Sequence, residues 1–133
     1  IGDYRKTICR SHEAYNTIYP YPREVPVNMA LLFEQLEREN KQPTLHPLIF
    51  AAHFYATFLH IHPFEDGNGR VARLLFTAML VRHGYCPPVF RDFNRYEYVN
   101  CLYLATSERN PDEWLDLIFE AVVEQYERRR GME

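Results

Sequence analysis

The middle of the chain reads His62-Pro63-Phe64-Glu65-Asp66-Gly67-Asn68-Gly69-Arg70-Val71-Ala72-Arg73. The stretch turns at two glycines and then enters an amphipathic segment, so it predicts a tight loop that leads into a helix. Consecutive N–H groups in such a loop form an anion-binding concavity, and the helix adds the positive end of its dipole. The sequence therefore predicts a phosphate site at the start of this helix.

The polar side chains around the loop suit a polyphosphate. Arg70 and Arg73 are three residues apart, so they share a helix face and can each pair with phosphate oxygens through two hydrogen bonds. Asn68 is expected to cap the helix by accepting from backbone N–H groups. Asp66 offers a hard carboxylate that could hold Mg²⁺ together with phosphate oxygens. His62 is mostly neutral near pH 7 and can accept a proton from an attacking hydroxyl.

Each part of this stretch is common on its own. A Gly-Asn-Gly run is usually a turn, an Arg-x-x-Arg pair is usually a solvated helix face, and a histidine after a helix is usually a surface residue. All of them at fixed spacing in a short chain make coincidence negligible. Pro63 and Phe64 are expected to make the loop rigid, and Glu65 to be solvated rather than catalytic.

The stretch resembles the signature of the Fic family, His-Pro-Phe-x-Asp/Glu-Gly-Asn-Gly-Arg-x-x-Arg, and matches it at every specified position. A typical Fic enzyme moves AMP from ATP onto a protein hydroxyl. The resemblance implies ATP as co-substrate, Mg²⁺ as cofactor and a target protein that presents a Ser, Thr or Tyr hydroxyl. In these terms His62 is the catalytic base and Asp66 the Mg²⁺ ligand. The phosphate-binding residues are Gly67, Asn68, Gly69, Arg70 and Arg73.

The fold expected from the hydrophobic pattern is an all-α bundle of about six helices, an architecture that the resemblance also implies. Helical spacing recurs along the chain. The predicted buried stripes are Met29, Leu32, Phe33 and Leu36; Leu48, Ala52, Tyr55 and Leu59; Val71, Leu74, Leu75, Ala78 and Met79; Tyr98, Cys101, Leu102 and Ala105; and Trp114, Leu117, Ile118, Ala121 and Val122. Gly84 is a typical helix stop, and Asn110-Pro111 a typical helix start.

The run from Tyr15 to Arg23 departs from the helical pattern. It is rich in aromatic and β-branched residues and prolines, which favours an extended hairpin or loop. Fic proteins carry a β-hairpin flap here, before the Val25-Pro26 pair, and it positions the main chain of the target. The resemblance assigns Thr17, Ile18 and Tyr19 to this flap. An ordinary surface loop is the alternative.

The adenine site matches the family less well. Many Fic proteins carry Tyr-Tyr-x-x-Leu-x-x-Ala-Asn in the helix after the signature helix, where this chain has Val99 as the second residue and Thr106 as the last. The resemblance assigns Tyr98 and Thr106 to the adenine pocket and leaves base specificity open. At the other end of the chain, Gly2-x-Tyr4-Arg5 resembles the start of the Fic core, so the resemblance covers nearly the whole chain.

Length and composition indicate one catalytic domain over residues 1–133. Because the chain starts at Ile1 and not at Met, we expect it to be excised from a longer protein. The chain has 133 residues, 47% of them hydrophobic and 15% aromatic, and a net charge of −3. This charge argues against a nucleic-acid partner. No apolar run is long enough to span a membrane. Three widely separated cysteines favour reduced thiols and a cytoplasmic location, with a free thiol in a secreted protein as the alternative.

The other histidines give weaker patterns. His12-Glu13 lacks the second histidine that a metalloprotease needs, because Asn16 stands in its place. A zinc site on His60 and His62 has no third ligand at suitable spacing. His53 and His60 are instead expected to pack against the signature loop, residues 62–67.

Alternatives to AMP transfer remain open on the sequence. Related Fic enzymes move UMP or phosphocholine or remove AMP, and a non-catalytic nucleotide-sensing module is a further possibility. The intact His62 argues against a pure binder, which needs no base. Many Fic enzymes are restrained by a helix with Ser/Thr-x-x-x-Glu-Gly/Asn. This motif does not occur in these residues, so an inhibitory helix, if the protein has one, would lie outside this chain. The sequence does not indicate the oligomeric state.

Overall fold

The computed structural model describes residues 2–10, 18–89 and 94–132. In these ranges the chain forms a short 3₁₀ helix, Pro22–Glu24, and five α-helices. The α-helices are α1 (Val25–Lys41), α2 (Pro47–Ile61), α3 (Asn68–Arg82), α4 (Arg95–Thr106) and α5 (Asp112–Met132). The expected all-α bundle is confirmed. No helix in the described part of the chain has the length and apolarity that crossing a membrane requires.

Helix α2 forms the centre of the bundle and packs against each of the other four helices. Its sequence, PLIFAAHFYATFLHI, contains no Asp, Glu, Lys or Arg. A helix that is apolar on most sides is stable when its neighbours enclose it. The buried residues of α2 are Phe50, Ala51, Ala52, Phe54, Tyr55, Ala56, Phe58 and Ile61. Because its neighbours fix α2 on several sides, the backbone position of His62, the residue that follows this helix, is also fixed.

Helices α4 and α5 are joined to α2 by one cluster of rings. Trp114 is buried, and its Nε1–H donates to the carbonyl oxygen of Ala52 at 2.9 Å. Its ring meets those of Tyr55 and Tyr98 edge to face, with centroids 5.3 and 5.6 Å apart. The predicted buried face of α5 is confirmed at all five positions. The Asn110 side chain accepts from the Asp112 N–H at 3.3 Å, so the predicted start of α5 is also confirmed.

The predicted buried face of α3 was partly wrong. Leu74 is 70% exposed and Ala78 is also exposed, whereas Ala72, Phe76 and Leu80 are buried. The segment from residue 71 to residue 81 has apolar residues on nearly every side, so its spacing cannot select one face. Phe33 in α1 is likewise exposed rather than buried. The end of α3 agrees with the prediction, since Gly84 follows it with φ +82°.

The stem of the predicted flap lies beside the N-terminal segment. Arg10 and Ile18 form an antiparallel bridge, and the N–H of Tyr19 donates to the carbonyl of Cys9 at 3.1 Å. The two chain segments that would enter and leave a hairpin therefore lie side by side. Thr17 and the rest of residues 11–17 lie outside the described residues, and the hairpin itself stays a prediction.

Arg5 is a buried cation bonded to backbone carbonyls. Its side chain donates to the carbonyl oxygens of Thr7 and Ile61, at 2.9 and 3.1 Å, and also to those of Pro20 and His62. The last carbonyls of a helix lack partners and form the negative end of its dipole, so a cation is favourable at the end of α2. Arg5 thus joins the N-terminal segment, the flap stem and the residue that follows α2.

Candidate active site

The signature loop is closed by Asn68. This residue is 5% exposed, its Oδ1 accepts from the Phe64 N–H and its Nδ2 donates to the Phe64 carbonyl, both at 2.9 Å. The expected side-chain cap on α3 was therefore wrong, because both polar atoms of the amide are committed to Phe64. The ring of Phe64 packs against Phe58 and Tyr4. The loop is held rigid by its own hydrogen bonds and by the core.

The two signature arginines fold back over the two signature glycines. A Cβ on Gly67, which has φ +81°, would lie 3.2 Å from Nη2 of Arg70. A Cβ on Gly69 would lie 3.2 Å from Nη1 of Arg73. The glycines therefore leave room for both guanidiniums beside the first turn of α3, where backbone N–H groups have no carbonyl one turn back. This cationic concavity, which we call the cradle (residues 67–73), suits an anion.

Arg73 is also fixed from the core side. Its guanidinium hydrogen-bonds the Tyr55 hydroxyl, which in turn lies 2.8 Å from the Tyr98 hydroxyl. Burial raises the pKa of both tyrosines, so both stay uncharged. A neutral tyrosine can orient a guanidinium without neutralising its charge. Arg73 therefore keeps its full charge for a ligand in the cradle.

Asp66 lies at the mouth of the cradle. Its side chain is 94% exposed; Oδ1 accepts from the Gly67 N–H at 2.8 Å, and Oδ2 lies 3.4 Å from Nη2 of Arg70. Within the described ranges no three His, Cys, Asp or Glu side chains are grouped to hold a metal. One carboxylate fits Mg²⁺, which takes one or two protein carboxylates and fills its shell with substrate phosphates and water.

Glu65 has a structural contact that the sequence did not predict. Its carboxylate accepts from the Lys6 N–H at 3.1 Å and from the Thr7 hydroxyl at 2.8 Å. These hydrogen bonds lower the pKa of the Glu65 carboxyl. The side chain is solvated, as expected, and it also ties the N-terminal segment to the signature loop.

His62 stands at the end of α2 in a left-handed conformation, with φ +52°. Its N–H donates to the carbonyl of Phe58 at 3.1 Å, and its carbonyl accepts from Arg5. Its half-buried imidazole stacks on the ring of Tyr19, with centroids 4.0 Å apart and planes 3° from parallel. Burial, and then the charge of Arg5, lower the pKa of His62 below the ordinary 6.5. The imidazole is therefore neutral at pH 7, as a proton acceptor must be.

The residues assigned to the adenine pocket do not lie together. Tyr98 directs its hydroxyl to Tyr55 in the core, near the charge of Arg73. The Thr106 hydroxyl donates to the Leu102 carbonyl at 2.9 Å, and its side chain lines a separate cavity of about 340 Å³ between α2, α4 and α5. No residue of the signature lines that cavity. The adenine assignment stays a prediction for Tyr98 and has no geometric support at Thr106.

His53 and His60 line this separate cavity and not the signature loop, so the expected packing of these histidines was wrong. They lie two turns apart on α2, on a side that faces α4 and α5. Burial lowers the pKa of both imidazoles, which are therefore neutral at pH 7.

Two contributors to the site were missed by sequence reasoning. The sequence places Arg5 only in an N-terminal pattern and Tyr19 only in the predicted flap. Arg5 lies 57 residues from His62 in sequence, so no local spacing could reveal their contact. The neighbouring sequence contains no signal either, because Arg5 stands between Tyr4 and Lys6, with Asp3 as an apparent acidic partner close by.

Comparison with known proteins then decides the family. The model of the Fic/DOC family matches residues 1–80. The chain belongs to the Fic/DOC family. Relatives named protein adenylyltransferase Fic, from Drosophila sechellia and Drosophila melanogaster, are 42% identical over 83 residues, which is 60% of this chain and 17% of theirs. The chain therefore spans about a sixth of the length of these curated relatives.

Solved structures agree on the Fic fold. A Fic family protein from Desulfovibrio desulfuricans covers 96% of this chain, and the match spans 42% of that protein, with a TM-score of 0.77 and 30% identity. The BepC protein of Bartonella tribocorum, solved with AMPPNP, matches with a TM-score of 0.71 over 90% of this chain and 64% of its own. Its identity of 19% supports the fold alone.

The lowered pKa of His62 predicts a pH dependence. Because the folded value lies below 6.5, His62 should stay neutral as the pH falls through 6.5 and gain its proton only in more acid solution. At pH values between the pKa of the unfolded chain, about 6.5, and the lower pKa of the folded chain, the unfolded chain binds the proton and the native chain does not. This histidine should therefore lower the free energy of unfolding as the pH falls through that range. NMR titration of the imidazole C–H resonances, with His62 assigned by its loss in His62→Ala, measures the value. A midpoint at or above 6.5 would contradict the geometry.

Proposed function

We propose that this chain transfers AMP from ATP to a Ser, Thr or Tyr hydroxyl of a target protein. The observation that carries the proposal is the placement of a neutral, half-buried His62 and a two-arginine cradle at opposite ends of one rigid loop. A proton acceptor and a phosphate site held at fixed separation suit phosphoryl-group chemistry. The names of the Drosophila relatives add support.

The reaction follows from these positions. The target hydroxyl oxygen attacks the α-phosphorus of ATP, and its proton passes to the neutral imidazole of His62. The bond from the α-phosphorus to the oxygen shared with the β-phosphate breaks, and pyrophosphate leaves with the electron pair. Arg70, Arg73 and the first N–H groups of α3 stabilise the negative charge that develops on the phosphate oxygens. AMP remains on the target through a new P–O bond.

Asp66 would hold Mg²⁺ together with oxygens of the bound phosphates. The ion, when bound, neutralises part of the phosphate charge. The Gly67 N–H orients the Asp66 carboxylate, and Arg70 lies beside its second oxygen. Asp66 therefore stays at the mouth of the cradle with oxygen lone pairs directed to solvent, because the side chain is 94% exposed.

The flap would hold the target by its main chain. Ile18 pairs with Arg10 in an antiparallel bridge and its side chain is 54% exposed, so the stem already has strand character at the surface. An extended peptide can add to such an edge by backbone hydrogen bonds. We assign this role to the flap segment that includes Thr17 and Ile18.

Transfer of label tests the proposed reaction. With ATP labelled at the α-phosphate and a cell extract, the wild-type chain should label protein, whereas label at the γ-phosphate should leave as pyrophosphate.

His62→Ala should lower the rate of transfer by about 10²–10⁴ while the Kd for ATP, measured by calorimetry, stays nearly unchanged. Arg70→Ala should instead weaken ATP binding. His83→Ala, at the far end of α3, is the matched control. Transfer by His62→Ala at the wild-type rate would refute the assignment, and labelled UTP or CDP-choline in parallel would reveal another donor.

A second variant pair separates target binding from nucleotide binding. Ile18→Pro removes a backbone donor and should sharply reduce protein labelling, because the stem can no longer extend a regular strand. Ile18→Val keeps the N–H and the branched side chain and should label as the wild type does. The Kd for ATP, set by the cradle, should be equal in both variants. Equal losses of labelling and of ATP affinity in Ile18→Pro would show that the stem is only structural.

A further inference from the structure

The ring of Tyr19 lies flat on the imidazole of His62. The centroids are 4.0 Å apart and the planes are within 3° of parallel, which is contact distance for two flat rings. Tyr19 lies in the flap stem, far from His62 in sequence. One face of the imidazole is therefore covered by a residue that the family signature does not include.

The backbone of Tyr19 is fixed on both sides. Its own N–H donates to the carbonyl of Cys9 at 3.1 Å, and the carbonyl of the next residue, Pro20, accepts from Arg5. The same Arg5 side chain holds the carbonyl of His62. One guanidinium thus sets the separation between the backbone that carries Tyr19 and the backbone that carries His62. The stacked rings are therefore carried by two backbone segments that Arg5 holds at a fixed separation.

An imidazole without such a contact can change its orientation. Rotation about its terminal side-chain bond is broad and weakly restricted, so the ring plane is set by what packs against it. A general base must lie within about 2.6–3.2 Å of the hydroxyl that it deprotonates. A displacement of about 1 Å can cost as much as about 10² in rate. A flat ring against one face removes most of this freedom.

We propose that Tyr19 is the positioning residue of the base: its ring fixes the rotation of the His62 imidazole so that one ring nitrogen keeps facing the target hydroxyl. This inference rests on the proposed function and adds a role that neither the signature nor the flap assignment contains. It also divides the stem between two tasks. Neighbouring residues of an extended chain point to opposite sides, so the exposed Ile18 is left for the target while Tyr19 faces the base.

Four variants test the proposal. Tyr19→Ala should lower kcat about tenfold and leave the KM for ATP unchanged, because the cradle is untouched. Tyr19→Phe keeps the stacked ring and should restore kcat to within about twofold of the wild type, whereas Tyr19→Leu, which fills space without a flat face, should not. Tyr21→Ala is the matched control, since Tyr21 is 51% exposed and its ring lies under Arg23 instead.

A readout at His62 itself separates positioning from general damage. The imidazole C–H resonances lie above the Tyr19 ring and should move downfield in Tyr19→Ala and Tyr19→Leu, but not in Tyr19→Phe or Tyr21→Ala. The apparent pKa on the acid side of the kcat–pH profile should move up toward 6.5 in Tyr19→Ala. The imidazole of His62 becomes less buried in this variant, while the charge of Arg5 is still present.

The outcomes are distinguishable. Unchanged His62 resonances in Tyr19→Ala, or full rescue of kcat and the pH profile by Tyr19→Leu, would overturn the role of Tyr19. A wild-type chain that transfers no AMP would refute the proposed function alone, and the resonance comparison would still show whether Tyr19 orients the imidazole. A variant that fails to fold would be recognised by the loss of chemical-shift dispersion in its NMR spectrum. If Tyr19→Ala does not fold, the comparison of kcat and of the His62 resonances between Tyr19→Leu and Tyr19→Phe decides the role of Tyr19.

Discussion

The guanidinium of Arg5 donates hydrogen bonds to carbonyl oxygens of the N-terminal segment, of the flap stem at Pro20 and of the end of α2 at Ile61 and His62. A buried cation is costly unless it is well hydrogen-bonded, and here four carbonyls and the negative end of α2 surround it. His62 holds a left-handed backbone, which costs a non-glycine residue about 1–2 kcal/mol. The Arg5 bond to its carbonyl helps to keep it there, and the position of the base depends on this contact.

The rest of the site is held by contacts within the protein itself. Asn68 closes the signature loop on Phe64, and the two glycines let the guanidiniums of Arg70 and Arg73 lie beside the first turn of α3. An anion that enters therefore meets donors already in place, and little conformational freedom is lost on binding. The central helix α2 supplies the rigidity, because its neighbours enclose it on most sides.

The sequence predicted the relative positions of residues close together in the chain and missed the contacts between residues far apart in it. The order of base, carboxylate, glycines and arginines could be inferred because one loop and one helical turn determine their relative positions. The role of Asn68 was wrong because a cap and a loop closure use the same amide atoms. The buried face of α3 was partly wrong because apolar residues occur all around that helix. The contacts of Arg5 and Tyr19 with His62 depend on tertiary packing, which no spacing in the chain encodes.

Amide hydrogen exchange in Arg5→Ala tests the central claim most directly, which is that Arg5 holds the base in place. The His62 N–H, bonded to the Phe58 carbonyl, should lose protection by about tenfold or more, since bonds to a charged group each contribute about 1.5–3 kcal/mol. The Trp114 indole N–H, bonded to Ala52 in the core, should keep its protection, and Arg23→Ala should change neither. Unchanged exchange at His62 in Arg5→Ala, or equal losses at His62 and Trp114, would contradict the account.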